Sequence, residues 1–276
     1  MSSNFHLAGI IPTAGQPLGF DLPWHDSLMP ISNNYLAIER AVLECAYAGC
    51  ETIWIVCNDD IQPLIRHRLG DYIQDPVWSF RTFDENVASS LKPIPIYYVP
   101  VHPRDRRKRD SLGWGVLYGS YTAWKISKGM SKWLAPRRFY VAFPYGVYKV
   151  NFLREHRKKI SSDNKLVLSY SGKTIKDGAY LGFTYTFEES KELSKVIWSK
   201  SRSYSTHDAT NFSLQEIFED LNIEGCETVG PTEYWEIDSW QSYTENLEEI
   251  AKNLKRPSEY ILKYHEWVGI GNEIED

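Results

Sequence analysis

The sequence predicts an α/β fold built on a mostly parallel sheet, and three stretches carry that expectation. His6 to Ala14 is apolar without the alternation of a half-exposed strand, so it reads as a strand buried on both faces. Ile38, Ala41, Val42, Cys45 and Ala46 recur on one face of a helix. Thr52 to Cys57 (TIWIVC) is β-branched and apolar, a second buried strand. Strand, helix and strand in that order require two parallel strands joined by a right-handed crossover.

The remaining elements follow along the chain. After the first strand, Gly15, Pro17 and Gly19 forbid regular structure, and the loop closes on Leu28-Met29-Pro30-Ile31. Asn33 or Asn34 is placed to cap the helix that runs to Ala48, and Gly49 to end it. Asp59 to about Tyr72 reads as a second helix, with Ile61, Leu64, Ile65 and Leu69 on one face. Gln74 to Lys92 shows no regular period. Ile94 to Val99 is a third strand with prolines at its ends. A polar, basic loop follows, His102 to Asp110 (HPRDRRKRD), then a helix from Leu112 to Ser127. That helix carries Gly113, Gly115 and Gly119; a glycine inside a helix costs roughly 1 kcal/mol against alanine, so close packing or the approach of a ligand should compensate.

Phe139 to Phe143 is a fourth buried strand that opens into Pro144-Tyr145-Gly146, with a basic helix over Asn151 to Ile160. Lys165 to Tyr170 and Tyr180 to Phe187 are further strands, joined by a turn bearing Gly and Lys. Helices are expected near Glu188 to Ser199 and Ser213 to Leu221. Pro231 to Asp238 holds a short strand, Ser239 caps a helix to about Leu254, and Pro257 to Trp267 is helical. The whole, 1–276, is expected to be a single domain with a helical tail over about 251–276.

Composition narrows the function classes. A net charge of -5 argues against a general nucleic-acid binder. The ten Trp, eighteen Tyr and eleven Phe supply core and edges, or stacking surfaces for bases and sugars. The four cysteines form no Cys-x-x-Cys pair and the seven His no metal-ligand spacing, which points to a reduced, cytoplasmic protein. Met1-Ser2-Ser3-Asn4 begins no signal peptide, and no apolar run is long enough to span a membrane.

Strand and helix alternate, so the loops after the first and fourth strands share the C-terminal edge of the sheet. The loop at Gly15 should face the loop at Tyr145 across a cleft. If the strand ending near Ile237 lies beside them, Glu236 and Asp238 enter the same cleft, where they could hold Mg²⁺ against phosphates. The alternative is that Asp238 only precedes or caps the next helix. Arg104, Arg106, Arg107, Lys108 and Arg109 suit bidentate phosphate binding, or form a solvated surface for an acidic partner. His25 and Asp26 make an acid/base pair only if the loop folds them together. There is no nucleophile elbow, and Gly15 to Gly19 lacks the ending of a P-loop.

Four stretches in order resemble the sugar nucleotidyltransferases, the nucleoside-diphosphate-sugar pyrophosphorylases. They are Ala8 to Gly15 followed by Pro23 and Leu28 to Ile31, Ala48-Gly49-Cys50-Glu51 leading into Ile53 to Val56, Ser111 to Leu117, and Tyr234 to Ser239 through Trp240 and Tyr243. The resemblance spans residues 7 to 250 and implies a Rossmann-like, GT-A-type three-layer αβα sandwich with a central mixed, mostly parallel sheet. It implies nucleotide contacts at Ala14, Gly15, Gln16 and Gly113; Arg104 and Arg106 are not part of the resemblance but could supply cations that the chain otherwise lacks there. It also implies catalytic carboxylates at Asp238 and Glu236, with Mg²⁺ on Asp238. The implied partners are a nucleoside triphosphate and a sugar 1-phosphate, which attacks the α-phosphorus as pyrophosphate leaves.

The chain departs from that pattern at its charges. Gln16-Pro17-Leu18-Gly19 has no cation, Trp24 or Asp26 stands where the family has a lysine, and Phe143-Pro144-Tyr145-Gly146 replaces the Asp that ends the fourth strand. Losing such a group commonly costs ~10²-fold or more in rate. The departures leave a second reading open, a catalytically degenerate member that acts as a binding or structural-interaction protein. Its partner would contact Arg104 to Arg109 or the C-terminal helix. A glycosyltransferase of the related fold would show an Asp-x-Asp, and Phe143 to Gly146 offers none.

Overall fold

β1 (Leu7–Pro12) is buried at all six positions in the computed structural model, which describes residues 6–15, 18–79, 92–106, 109, 111–161, 165–203, 212–258 and 261–262. A 3-10 turn over Asp26–Leu28 and a hairpin of β2 (Pro30–Ser32) and β3 (Tyr35–Leu36) lead into α1 (Ala37–Ala48). Asn33 and Asn34 do not cap α1. They are the turn of the hairpin, with Asn34 at φ 53°. The cap is reached from inside the helix, where the Glu39 carboxylate accepts the Leu36 N–H at 2.8 Å. Gly49 ends α1 at φ 97°, as its position in the sequence requires.

β4 (Thr52–Cys57) has the predicted ends and runs parallel to β1, from Ala8 opposite Thr52 to Pro12 opposite Val56. α2 (Gln62–Leu69) is shorter than expected, because Tyr72 opens a strand, β5 (Tyr72–Gln74). Then come α3 (Pro76–Ser79), β6 (Pro93–Pro100), a single turn α4 (Pro103–Arg106) inside the basic loop, and α5 (Leu112–Met130). The second half contains β7 (Arg138–Val141), β8 (Gly146–Val147), α6 (Leu153–Ile160), β9 (Leu166–Leu168), β10 (Phe183–Thr186), α7 (Phe187–Ser203) and α8 (Leu214–Phe218). It closes with β11 (Glu227–Val229), which the sequence reading missed, β12 (Trp235–Glu236) and α9 (Trp240–Asn253). Most of the irregular stretch after Gln74 and most of the predicted tail helix lie outside the described residues.

The main sheet has eight strands in the order β11-β9-β10-β7-β1-β4-β6-β5. β7, β1, β4 and β6 are parallel, and β11 is parallel to β9. β10 runs against both its neighbours and β5 against β6, so the sheet is mixed and mostly parallel. One face packs Ile11 and Ile53 against Ile38 and Val42 of α1; the other packs Ile10 and Val56 against Val116 of α5. With α6 beside α1 and α7 beside α5, the layers are helix, sheet and helix. Cys45, Cys50 and Cys57 are buried free thiols, and burial is the main cause that pushes Cys57 up to about 12. No helix among the described residues is long and apolar enough to cross a membrane.

Candidate functional site

The end of β1 is tied to β4 before it opens. The N–H groups of Thr13 and Ala14 both donate to the Val56 carbonyl, at 2.8 and 2.9 Å, and the Thr13 hydroxyl joins them. Gly15 then turns at φ 148°, and a Cβ there would lie 3.1 Å from the Leu112 nitrogen. The loop therefore crosses the first turn of α5 directly, and only glycine passes without strain. Ser111 caps that helix by accepting the Trp114 N–H at 3.2 Å. Ala14 and Gly15 thus lie against the start of α5, and N–H groups of a helix's first turn beside a glycine suit an anion. Gly113 lies in this turn, with its absent Cβ filled by Ile217 Cδ1 at 2.3 Å, so its glycine character serves packing against α8. Gln16 lies outside the described residues.

The rest of the loop is pinned by its own side chains. Asp26 accepts the Leu18 N–H at 2.7 Å, and His25 caps the 3-10 turn by accepting the Ser27 N–H at 3.2 Å. Burial lowers the His25 pKa, against the pull of Asp26 and of a backbone hydrogen bond at Thr13. Burial raises the Asp26 carboxyl. Both groups are occupied in shaping the loop rather than paired as acid and base. Gly19 bridges to Ser239, and the Trp240 N–H donates to the Gly19 carbonyl at 3.4 Å, which brings the loop to the start of α9.

The acidic residues arrive on the same edge through a second small sheet. β12 pairs antiparallel with β8, with Trp235 opposite Val147 and Glu236 opposite Gly146, and the Ile237 N–H donates to the Tyr145 carbonyl at 2.9 Å. Ser239 is the cap of α9. Asp238 shares in that cap: its carboxylate accepts the Ser242 hydroxyl at 3.1 Å. It also acts on its neighbours. The Glu236 pKa is raised first by burial and then by the charge of Asp238, with Lys173 and the Tyr234 hydroxyl pulling it down. Burial, Asp238 and Glu236 together raise the Tyr180 phenol. Two carboxylates, Lys173, Tyr180 and Tyr234 therefore form one electrostatic group. Lys173 was not singled out in the sequence; it enters from the turn between β9 and β10, where Tyr170 bridges to Lys173 and Ser171 is at φ 50°.

The end of β7 is built differently. Phe143 and Tyr145 are buried. Beneath them the fully buried Arg40 and Glu44 pair at 2.8 Å across one turn of α1. Glu44 also accepts the hydroxyls of Tyr140, at 2.8 Å, and Tyr148. Arg40 donates to the Phe143 carbonyl and lies over the Tyr148 ring at 4.7 Å. Sequence reading missed this network. Its one trace is a pair of opposite charges four residues apart in a helix whose twelve positions are all buried.

Among the described residues of the basic loop, Arg106 and Arg109 are held by partners other than the acidic pair. Arg106 donates to the Val101 carbonyl at 3.0 Å and to Asp59 at 2.9 Å, stapling the ends of β6 and β4. Arg104 is exposed, and Arg109 is buried against Asp105 at 2.8 Å. Arg107 and Lys108 lie outside the described residues.

No family model matches the chain, and no curated protein matches it. Solved structures match over nearly its whole length. A protein described as a glucose-1-phosphate thymidylyltransferase from Bacillus anthracis, in complex with sucrose, superposes with a TM-score of 0.55 at 10% identity, over 93% of this chain and 98% of that one. A UDP-glucose pyrophosphorylase complexed with UDP-glucose gives 0.55 at 13%, over 89% and 98%. A nucleotidyl transferase from Methanothermobacter thermautotroptrophicus gives 0.52 at 13%, over 90% and 98%. The chain has the nucleotidyltransferase fold. Where the resemblance implies an Asp at the end of the fourth strand, this chain has Phe143, whose carbonyl accepts from Arg40.

Proposed function

We propose that this protein joins a nucleoside triphosphate to a sugar 1-phosphate with release of pyrophosphate. The observation that carries this reading is the convergence of Glu236 and Asp238 with the loop after β7 and, through Gly19 and Ser239, with the glycine loop after β1. The nucleotidyltransferase fold supports it. Among the described residues no three His, Cys, Asp or Glu side chains come together. Glu236, raised first by burial and then by the charge of Asp238, forms with Asp238 a pair that suits Mg²⁺, which takes one or two carboxylates and completes its shell with phosphate oxygens and water. Glu236 and Asp238 would hold the ion, and the ion would neutralise charge on the phosphates.

This chain's own groups do the rest. The Gly15 loop and the first turn of α5 present backbone N–H groups to the triphosphate, and Lys173 adds a positive charge beside Glu236. An oxygen of the sugar phosphate forms the new bond to the α-phosphorus, and the bond from that phosphorus to the bridging oxygen of pyrophosphate breaks. Positioning and charge neutralisation carry such a transfer. The test is pyrophosphate release from each of four nucleoside triphosphates with a panel of sugar 1-phosphates and Mg²⁺. Turnover that Asp238→Asn lowers by about 10²-fold or more supports the proposal; a folded protein silent across the panel removes it.

One observation favours a second reading, a degenerate member that binds without turnover. The Arg40–Phe143 contact and the buried Tyr145 occupy the place where the resemblance implies a second metal ligand. That reading expects nucleotide sugars to raise the melting temperature while no pyrophosphate appears.

A further inference from the structure

We propose a second ligand site, for a planar aromatic anion, in the groove between α5 and α7. The groove has a volume of about 740 Å³, within the size range of small-molecule sites; its lining includes none of Gly15, Lys173, Glu236 and Asp238, and it meets the glycine loop only through Trp114, whose backbone N–H is taken by Ser111 in the first turn of α5. Trp114, Tyr118 and Tyr121 wall one side from successive turns of α5, and Trp198 stands on α7. Packing between two helices would bury these rings. Instead Tyr121 is 49% and Trp198 46% exposed.

The ring of Trp198 is held in place. Arg109, paired to Asp105, lies between Trp198 at 4.3 Å and Trp114 at 4.9 Å, so one face of Trp198 is clamped while the residue remains nearly half exposed. A platform already fixed loses little freedom on binding. Trp114 contributes a second feature: its indole N–H is buried with no acceptor, a condition that calls for an explanation in a folded protein.

Charge selects the ligand. Lys191 and Lys195 sit one turn apart on α7 and line the groove with Trp198. Their pairs with Glu188 and Glu192 are exposed i,i+3 contacts, too weak to hold the ammonium groups back. The one acid in the lining, Asp105, is already neutralised by Arg109. Rings that stack, and cations beside them, fit a flat ring bearing a phosphate or carboxylate.

Isothermal titration of the full chain with 1-naphthyl phosphate and 1-naphthoate tests this, with 1-naphthol and inorganic phosphate as comparisons. Saturable binding of both anions is expected, with naphthol and phosphate each at least about tenfold weaker. Trp198→Leu should weaken the anions about tenfold, since an open stacking surface is removed. Tyr121→Ala serves as a second half-exposed position. Lys191→Gln with Lys195→Gln should weaken the anions severalfold and leave naphthol unchanged. Asp238→Asn should change nothing, which separates this site from the proposed catalytic one. No saturable binding, binding indifferent to Trp198→Leu and Tyr121→Ala, naphthol binding as well as the anions, or binding lost with Asp238→Asn would overturn the assignment.

Discussion

β1 and β7 are adjacent parallel strands, yet they end in opposite ways. β1 opens into a loop that is tied back to β4 and crosses the start of a long helix at Gly15. β7 opens into a sealed plug, where Phe143 and Tyr145 are buried and the Phe143 carbonyl is bonded from below by Arg40. Glu236 and Asp238 come from neither strand. They are delivered by β12, which borrows its register from β8. The difference teaches that two adjacent strands can end on one edge of a sheet in unlike surroundings, one passing over the start of a helix and the other closed by a buried ion pair.

The sharpest way to break the comparison is to unseal the plug. Glu44→Ala leaves the Arg40 guanidinium buried without its carboxylate and should cost about 3–5 kcal/mol, read by urea denaturation. Replacing the whole network, Arg40→Met and Glu44→Leu together with Tyr140→Phe and Tyr148→Phe, should cost less than Glu44→Ala, because only the Phe143 carbonyl is then left buried without its partner, about 1–3 kcal/mol. If the single variant loses under ~1 kcal/mol, the plug does not hold the end of β7.

Gly146→Ala comes next. A Cβ there would lie 2.0 Å from the Tyr180 carbonyl oxygen, a backbone atom with little room to give. The cost should be about 1–3 kcal/mol, with weakened pairing of β12 visible as faster amide exchange at Ile237. Exchange at Ile237 unchanged from the parent would detach the acidic strand from the plug.

On the acidic side the expected effects are smaller. Ser239→Ala removes the cap of α9 and should cost about 1 kcal/mol without touching the plug. The smallest effect belongs to the β1 loop. The His25 pKa lies below its ordinary value of 6.5 in the folded chain, so between the two values the unfolded chain binds more protons. Stability therefore falls as pH drops below 6.5, and the denaturation midpoint of His25→Gln should depend less on pH there than that of the parent. Equal slopes would mean that His25 is not pinned in the loop.

Much of this architecture is legible in the residues. The β1-α1-β4 unit follows from one helical period between two apolar runs, and β4 has the predicted ends. Ser239 as a cap is legible because the cap is local. The hairpin at Asn33-Asn34 was misread, since the same residues suit a cap and a left-handed turn, and the choice between them lies in Glu39 reaching back to Leu36. The three residues of β11 are too few to show a period. At the site, Glu236 and Asp238 were legible as candidates from the strand end that carries them. Lys173 and the Arg40–Glu44 network were not, because their roles depend on contacts between distant elements, such as Glu44 with Tyr140 and Tyr148. Arg106 shows the converse: a conspicuous charge whose role is to staple β4 to β6.

The most direct measurement is a calorimetric titration of the four nucleoside triphosphates, with and without Mg²⁺, into the parent chain and Asp238→Asn. The expected result is saturable binding of at least one triphosphate that needs Mg²⁺ and weakens about tenfold or more in Asp238→Asn, a loss of about 1.4 kcal/mol or more. Binding that ignores both Mg²⁺ and Asp238, or no binding of any triphosphate by the folded parent, would contradict the placement of the functional charges at the end of β12.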